Sequence, residues 1–247
     1  MQVAALYDIH GNLPALQAVM IELRKQRVDR IVIGGDVIPG PLPRECLDAV
    51  LDLDVPTQFI IGNGDRESVA AKRGTMSSTI PPFFREAMEW NGKQLSAADE
   101  QMIEAWPLIE RINVAGIGDI VFCHATTRND TEIFTSATDA AKLAPIFDPL
   151  NAAMLVCGHT HMQFDRQIGR TRVINAGSVG MPFQQPGAYW LLIGRGVELR
   201  RTDYNLQQAA DRVRATAYPL AGDFASKILV GADEVETTAK FAAVELK

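Results

Sequence analysis

The stretch VAALYDIHGN, residues 3–12, decides the reading of the fold. An apolar run of strand length, VAALY (3–7), stops on Asp8, His10 and Asn12. Asn12, a good N-cap, precedes a segment from Leu13 to Lys25 in which Leu16, Met20 and Leu23 recur at helical spacing. A strand that ends in polar residues and passes into a helix predicts the opening of a βαβ unit. RIVIGG (30–35), a helix over about 43–52, and the strand TQFIIG (57–62) continue the alternation. It predicts right-handed crossovers and an α/β fold with an at least partly parallel sheet.

Further out the pattern changes. From about Arg66 to Trp106, a Pro81-Pro82 break precedes a helix-like stretch with Phe83, Phe84, Met88 and Trp90. This predicts a helical insertion over the sheet at about 66–106, either a lid or plain packing. RINVA (111–115) and DIVFCH (119–124), joined by Gly116-Ile117-Gly118, read as a hairpin. A helix near 136–144 leads to AMLVCG (153–158). After CGHTH the runs QFDRQI, TRVINA, AYWLLI and VELRRT read as consecutive strands and predict a second sheet of their own. A helical tail follows over about 205–247, packing on the body or on a partner, and residues 1–247 read as one domain.

Composition bounds the function. With 47% hydrophobic and 22% charged residues the chain has ordinary soluble-protein values, and no apolar run is long enough to span a bilayer. MQVAALYDIH lacks a basic start, which argues against a cleaved signal peptide and leads us to expect a cytoplasmic protein. A net charge of −6 without a Lys/Arg-rich stretch excludes a dedicated nucleic-acid surface, but suits a small anionic substrate held by metals. Cys46, Cys123 and Cys157 lack zinc-type spacing. Cys123 and Cys157 neighbour His124 and His159, so thiolate ligation is one reading. Both end apolar runs, and a small buried hydrophobe is the stronger reading.

All four histidines fall in short polar motifs: His10 in DIHGN, His124 in FCHAT, His159 and His161 in CGHTH. Asp8 with His10, Asp36, Asn63, His124, and His159 with His161 stand at the ends of five apolar strands, where open α/β sheets bind ligands. Two carboxylates, four imidazoles and one amide make a sulfur-free N/O set, sufficient for two divalent first-row ions if one carboxylate bridges. Asp36 is the natural bridge. Such a site activates water and supports in-line displacement at phosphorus.

Taken together, DIHGN (8–12), GGD (34–36), GNGD (62–65), CHA (123–125), GHTH (158–161) and NAGSVGMP (175–182) resemble the calcineurin-like metallophosphoesterase superfamily, in particular its small bacterial phosphodiesterase branch. The resemblance spans roughly residues 1–200 and implies a four-layer αββα sandwich of two mixed sheets with two metals between the sheet edges. It assigns Asp8, His10, Asp36 and His161 to one ion, and Asp36, Asn63, His124 and His159 to the other, with Asp36, Asn63 and His124 in catalytic roles. A water or hydroxide bridging the ions would attack the phosphorus of a small phosphate ester, a phosphodiester in preference to a monoester. The ligand set fits Mn, Fe, Ni or Zn alike. One position departs from the pattern: where many relatives have GNH(D/E), this chain has Gly64, and no histidine is left for acid catalysis. A good leaving group or protonation by water is therefore expected.

Arg66 and Arg128 are candidate phosphate clamps, with surface salt bridges as the alternative. Asn12 either orients a ligand or simply caps its helix, and Asn175 and Ser178 sit in a glycine-rich turn that reaches the site or only permits tight backbone. Two rival hydrolases fail on the residues: no histidine follows Ser178, and His161 is followed by Met162 and Gln163 where a metallo-β-lactamase-like motif needs an acid and a histidine. A non-catalytic metal-binding scaffold on a phosphoesterase fold is the rival from another class. Loss of ligands would mark it, and all seven ligand positions are filled.

Overall fold

A computed structural model describes residues 1–246. The first strand forms as β1 (Val3–Leu6), buried at every position. Asn12 caps α1 (Leu13–Lys25), its side chain accepting from the Ala15 amide at 3.2 Å, and Arg24 and Lys25 sit at the helix's negative end. β2 (Arg30–Ile33) pairs parallel with β1; after α2 (Pro43–Leu51), β3 (Thr57–Phe59) pairs parallel with β2.

β3 stops short of the 57–62 run. The Ile61 amide bonds to the Pro107 carbonyl, outside the sheet, and Asn63 already opens α3 (Asn63–Arg73). Two more helices, α4 (Pro82–Lys93) and α5 (Ala97–Glu104), lie within the predicted insertion; Ser96 and Asp99 cap α5 reciprocally. The hairpin of β4 (Ile109–Val114) and β5 (Gly118–Cys123) forms as read. Through α6 (Ala140–Phe147) the chain enters β6 (Met154–Cys157), parallel to β5.

The last four strands correct the sequence reading. β7 (Phe164–Ile168) and β8 (Thr171–Asn175) complete a sheet ordered β4-β5-β6-β8-β7, but β9 (Ala188–Ile193) and β10 (Val197–Thr202) cross back to make β10-β9-β1-β2-β3. Burial explains the crossing. All six residues of AYWLLI are buried, which requires an interior strand, and β9 lies between β1 and β10. Local turn chemistry does not report that. The intervening NAGSVGMP segment is pinned to the first sheet's edge by Val179 N–H to Tyr7 and Gly180 N–H to Asp8 carbonyls. Three helices close the chain: α7 (Leu206–Arg214), α8 (Ala221–Val230) and α9 (Glu234–Ala242).

The strands' two-residue period builds four layers. Val3, Ala5 and Tyr7 face Ile120, Phe122 and Val156 between the sheets. Ala4 and Leu6 face Leu16 and Val19 of α1, while Val121 and Leu155 face Leu143 and Phe147 of α6. This is the αββα arrangement of two mixed sheets. Cys123 and Cys157 belong to the layer under α6, Cys46 to the layer of α1 and α2, and burial raises all three thiol pKa values. They are small core hydrophobes, not ligands.

Candidate metal centre

The backbone that leaves β1, β2 and β6 is bent sharply at the site. Asp8, His10, Asp36, His159 and His161 all have positive φ, between 48° and 64°; only Asn151 and Leu246 share this among the described non-glycine residues. Left-handed backbone in such residues costs energy and persists where the surroundings hold it. Here it accompanies the convergence of Asp8, His10, Asp36 and His161 on one cluster.

Hydrogen bonds then fix which nitrogen points inward. The Nδ1 atoms of His10, His124 and His161 lie 3.0, 2.9 and 2.7 Å from the carbonyl oxygens of Pro39, Gly34 and Met181. A carbonyl can only accept, so each Nδ1 carries a proton and each ring turns its Nε2 to the cluster. The Nε2 atoms of His10 and His161 face one another at 3.0 Å. Asp8 Oδ1 stands 3.2 Å from His161 Nε2, 3.8 Å from His10 Nε2 and 3.9 Å from His124 Nε2. Asp36 Oδ2 is 3.6 Å from His10 Nε2 and 3.7 Å from His124 Nε2. Asp8 therefore reaches toward both sides, as Asp36 does.

The donor set fits divalent cations. Asp8 Oδ1 is buried without a hydrogen-bond donor, although its Oδ2 accepts from the His159 amide at 2.8 Å. An ionised buried oxygen without a partner is costly unless a positive charge meets it. Two groupings bring one candidate ligand atom from each residue within 4.8 Å of one another: Asp8 with His10 and His161, and Asp8 with Asp36 and His124. Burial raises the Asp8 pKa, but the imidazoles of His161, His124 and His10 outweigh it and hold the carboxyl below its usual range. Burial and the facing His161 lower the His10 pKa, while Asp36 and Asp8 overcome burial to raise that of His124.

Two predicted ligands stand at the margin. Asn63 Oδ1 lies 3.0 Å from His124 Nε2, within the cluster. His159 is turned the other way: its Nε2 lies 3.2 Å from the Thr131 carbonyl, which leaves Nδ1 as its ligand atom. Its ring is edge-on to His124 at 5.1 Å, and burial together with His124 lowers its pKa to about 4.

Gly64 has a physical reason. Its amide donates to Asp36 Oδ1 at 2.7 Å, and a Cβ on it would come within 2.5 Å of the Pro39 ring and 3.0 Å of that carboxylate. The Pro39 ring occupies the space a side chain at 64 would need.

One supporting residue escaped the sequence reading. Asp65 is fully buried; its Oδ1 accepts from the Val37 and Ile38 amides at 2.9 and 3.0 Å, and its Oδ2 from Gly62 at 3.3 Å. It joins the Asp36 loop to the start of α3, and burial followed by the Asp36 charge raises its pKa to about 7. A fully polar residue inside GNGD was the available signal. Ser178 Oγ donates to the Asp8 carbonyl at 2.7 Å, and Asn175 donates to the Gly158 carbonyl and the Thr160 hydroxyl. The glycine-rich turn thus does reach the ligand backbone. Asn12 caps α1 and also donates to the Gly180 carbonyl at 2.8 Å.

The two arginines are engaged elsewhere. Arg66 makes a two-pronged ion pair with Asp130 at 2.7 and 3.0 Å and another with Glu67, and Arg128 pairs with Glu132. Neither lines the hollow over the ligands.

A sulfur-free Asp/His cluster at the strand ends of a two-sheet αββα sandwich defines a class of metal-binding α/β proteins. The chain belongs to the calcineurin-like phosphoesterase superfamily, whose domain model matches residues 1–193. The uncharacterized protein MJ0912 of Methanocaldococcus jannaschii is 24% identical over 245 residues, covering 88% of this chain and 93% of its own. The hypothetical protein PH1004 of Pyrococcus horikoshii shares the fold at a TM-score of 0.82 and 19% identity, covering 94% of this chain and 99% of its own. A metallophosphoesterase from Sphaerobacter thermophilus has the same coverage at a TM-score of 0.75 and 25% identity. Among the described residues no helix is long and apolar enough to cross a membrane.

Proposed function

We propose that this protein is a dinuclear metal-dependent phosphoesterase of the cytoplasm that hydrolyses small phosphodiesters in preference to monoesters. The observation that carries the reading is the inward turn of three Nε2 atoms toward the buried Asp8 Oδ1. Asp8, His10, Asp36 and His161 would hold one ion, and Asp36, Asn63, His124 and His159 the other. Bound there, two divalent cations supply Lewis acidity toward the phosphate and activate the attacking water. The chain's own part is to hold the ligands in one tautomer and to keep Asp36 in place through the amide of Gly64 and, by way of its loop, Asp65. With no histidine at 64, Asp36, Asn63 and His124 act around the phosphate without a protein acid for the leaving oxygen.

Metal analysis combined with hydrolysis of aryl monoesters, aryl diesters, cyclic nucleotides and dinucleoside polyphosphates tests the reading under each of Mn, Fe, Ni and Zn. The expected result is about two ions per chain with diesters turned over fastest. A clear win for monoesters would reverse the preference. Stoichiometric metal without turnover of any ester would favour the scaffold.

A further inference from the structure

A cavity of about 330 Å³ opens above the candidate ligands, with His10, Asp36, Asn63, Gly64 and His161 in its floor. Its walls come from two distant parts of the chain. Phe84 and Met88 come from α4, and Tyr218, Phe224 of α8 and Phe241 of α9 come from the C-terminal part of the chain. The residues of the second wall lie beyond residue 193, the last position matched by the family model. Phe183 continues the aromatic surface to the ligands themselves: it stacks on His161 with centroids 4.6 Å apart and contacts Phe241 at 6.0 Å.

Charge in the cavity is scarce. Lys227 is the one lysine or arginine among the lining residues, and it is already paired with Asp223 at 3.0 Å near the rim. Arg66 and Arg128, which would neutralise further phosphates, are outside and held by carboxylates. A chain of phosphates would therefore enter an apolar space with little to offset its charge. A flat apolar ring would find Phe84, Phe183, Tyr218, Phe224 and Phe241 among the lining residues.

We infer that the substrate of this site is an ester of a single phosphate carrying an aromatic, uncharged organic group, which seats between α4 and the C-terminal helices α8 and α9. The inference rests on the phosphoesterase reading above and deepens it. It also accords with Gly64, because the conjugate base of an aromatic alcohol leaves without an acid far more readily than an alkoxide does.

Binding separates the two ideas without relying on turnover. Phenylphosphonate, methylphosphonate and methylenediphosphonate are titrated calorimetrically into the full chain loaded with Mn²⁺. Phenylphosphonate is expected to bind about tenfold to a hundredfold tighter than methylphosphonate, the range that burial of one ring supplies. Methylenediphosphonate is expected to gain nothing comparable. Phe84→Ala and Phe241→Ala, both at partly exposed positions, should each cut the phenyl-to-methyl ratio by about threefold or more. Equal binding of the phenyl and methyl compounds, an unchanged ratio in both variants, or tighter binding of the diphosphonate would overturn the inference and leave the phosphoesterase reading standing. If no phosphonate binds to the metal-loaded protein, the phosphoesterase reading fails and takes the inference with it.

Discussion

The ring of Pro39 and the α-carbon of Gly64 are packed so closely that a Cβ at 64 would lie 2.5 Å from Pro39 Cγ. Pro39 also supplies the carbonyl that holds the His10 tautomer, so one residue both fixes a ligand and closes the space for a histidine at 64. Gly64→His alone should destabilise the fold by about 1–3 kcal/mol through overpacking. Combined with Pro39→Ala, which removes the ring but keeps the carbonyl, it should cost less than the sum of the two single changes, with a coupling of about 0.5–3 kcal/mol. Denaturant midpoints of the four proteins measure this; strict additivity would show that the contact does not govern position 64. Only in the double variant is an effect of the added histidine on rate or substrate profile a fair test of its role.

Asp65 touches no candidate ligand atom, yet it holds the amides of Val37 and Ile38 next to Asp36. Asp65→Asn keeps the shape and weakens the acceptor. Metal affinity should fall by about 10- to 100-fold, as is usual when a group supporting a ligand is changed. Calorimetric titration with Mn²⁺ reads this directly, and an unchanged affinity would reduce Asp65 to a fold residue.

The same carboxyl predicts a pH dependence. Burial and the nearby Asp36 raise its folded pKa to about 7, against about 3.9 in the unfolded chain. The folded state therefore binds the extra proton, so the stability this group contributes is full below about pH 4 and is lost as pH rises toward 7. In chelator, the difference in stability between the parent and Asp65→Asn should change in that direction across the window. With a divalent cation beside Asp36 the dependence should shrink, because the negative charge that raises the pKa is offset. A difference that is flat with pH in chelator would contradict the assignment.

Much of this centre was legible because its chemistry is local. DIHGN, GGD, GNGD, CHA and GHTH each carry their ligands at a strand end or just past one, so apolar runs and polar stops were enough to bring Asp8, Asp36 and His124 together. What stayed hidden depends on distant pairing. That β9 returns to β1 follows from burial on both faces of AYWLLI, and a run of apolar residues does not say which sheet will bury it. The engagement of Arg66 with Asp130 joins residues 64 positions apart. Tautomers depend on carbonyls such as Gly34 and Met181, which no side-chain motif reports.

His159 and His161 are two residues apart but face different partners, and that difference is measurable. His161 Nε2 meets His10 Nε2 at 3.0 Å and Asp8 Oδ1 at 3.2 Å, whereas His159 turns its Nε2 to the Thr131 carbonyl and keeps only Nδ1 for a cation. His161 is also buried where His159 is partly exposed. His161→Ala should therefore remove the ion shared with His10 and leave Asp8 Oδ1 without its nearest imidazole. His159→Ala should weaken only the ion near His124 and leave the first in place. Metal-to-protein ratios after dialysis at a fixed low Mn²⁺ concentration distinguish the two: about one retained ion in His159→Ala, with the His10–His161 side still occupied by spectroscopic or crystallographic criteria. Loss of both ions in His159→Ala would mean that the His159 ring supports the whole cluster, since the variant keeps the amide that donates to Asp8, and an unchanged ratio would remove it from the ligand set.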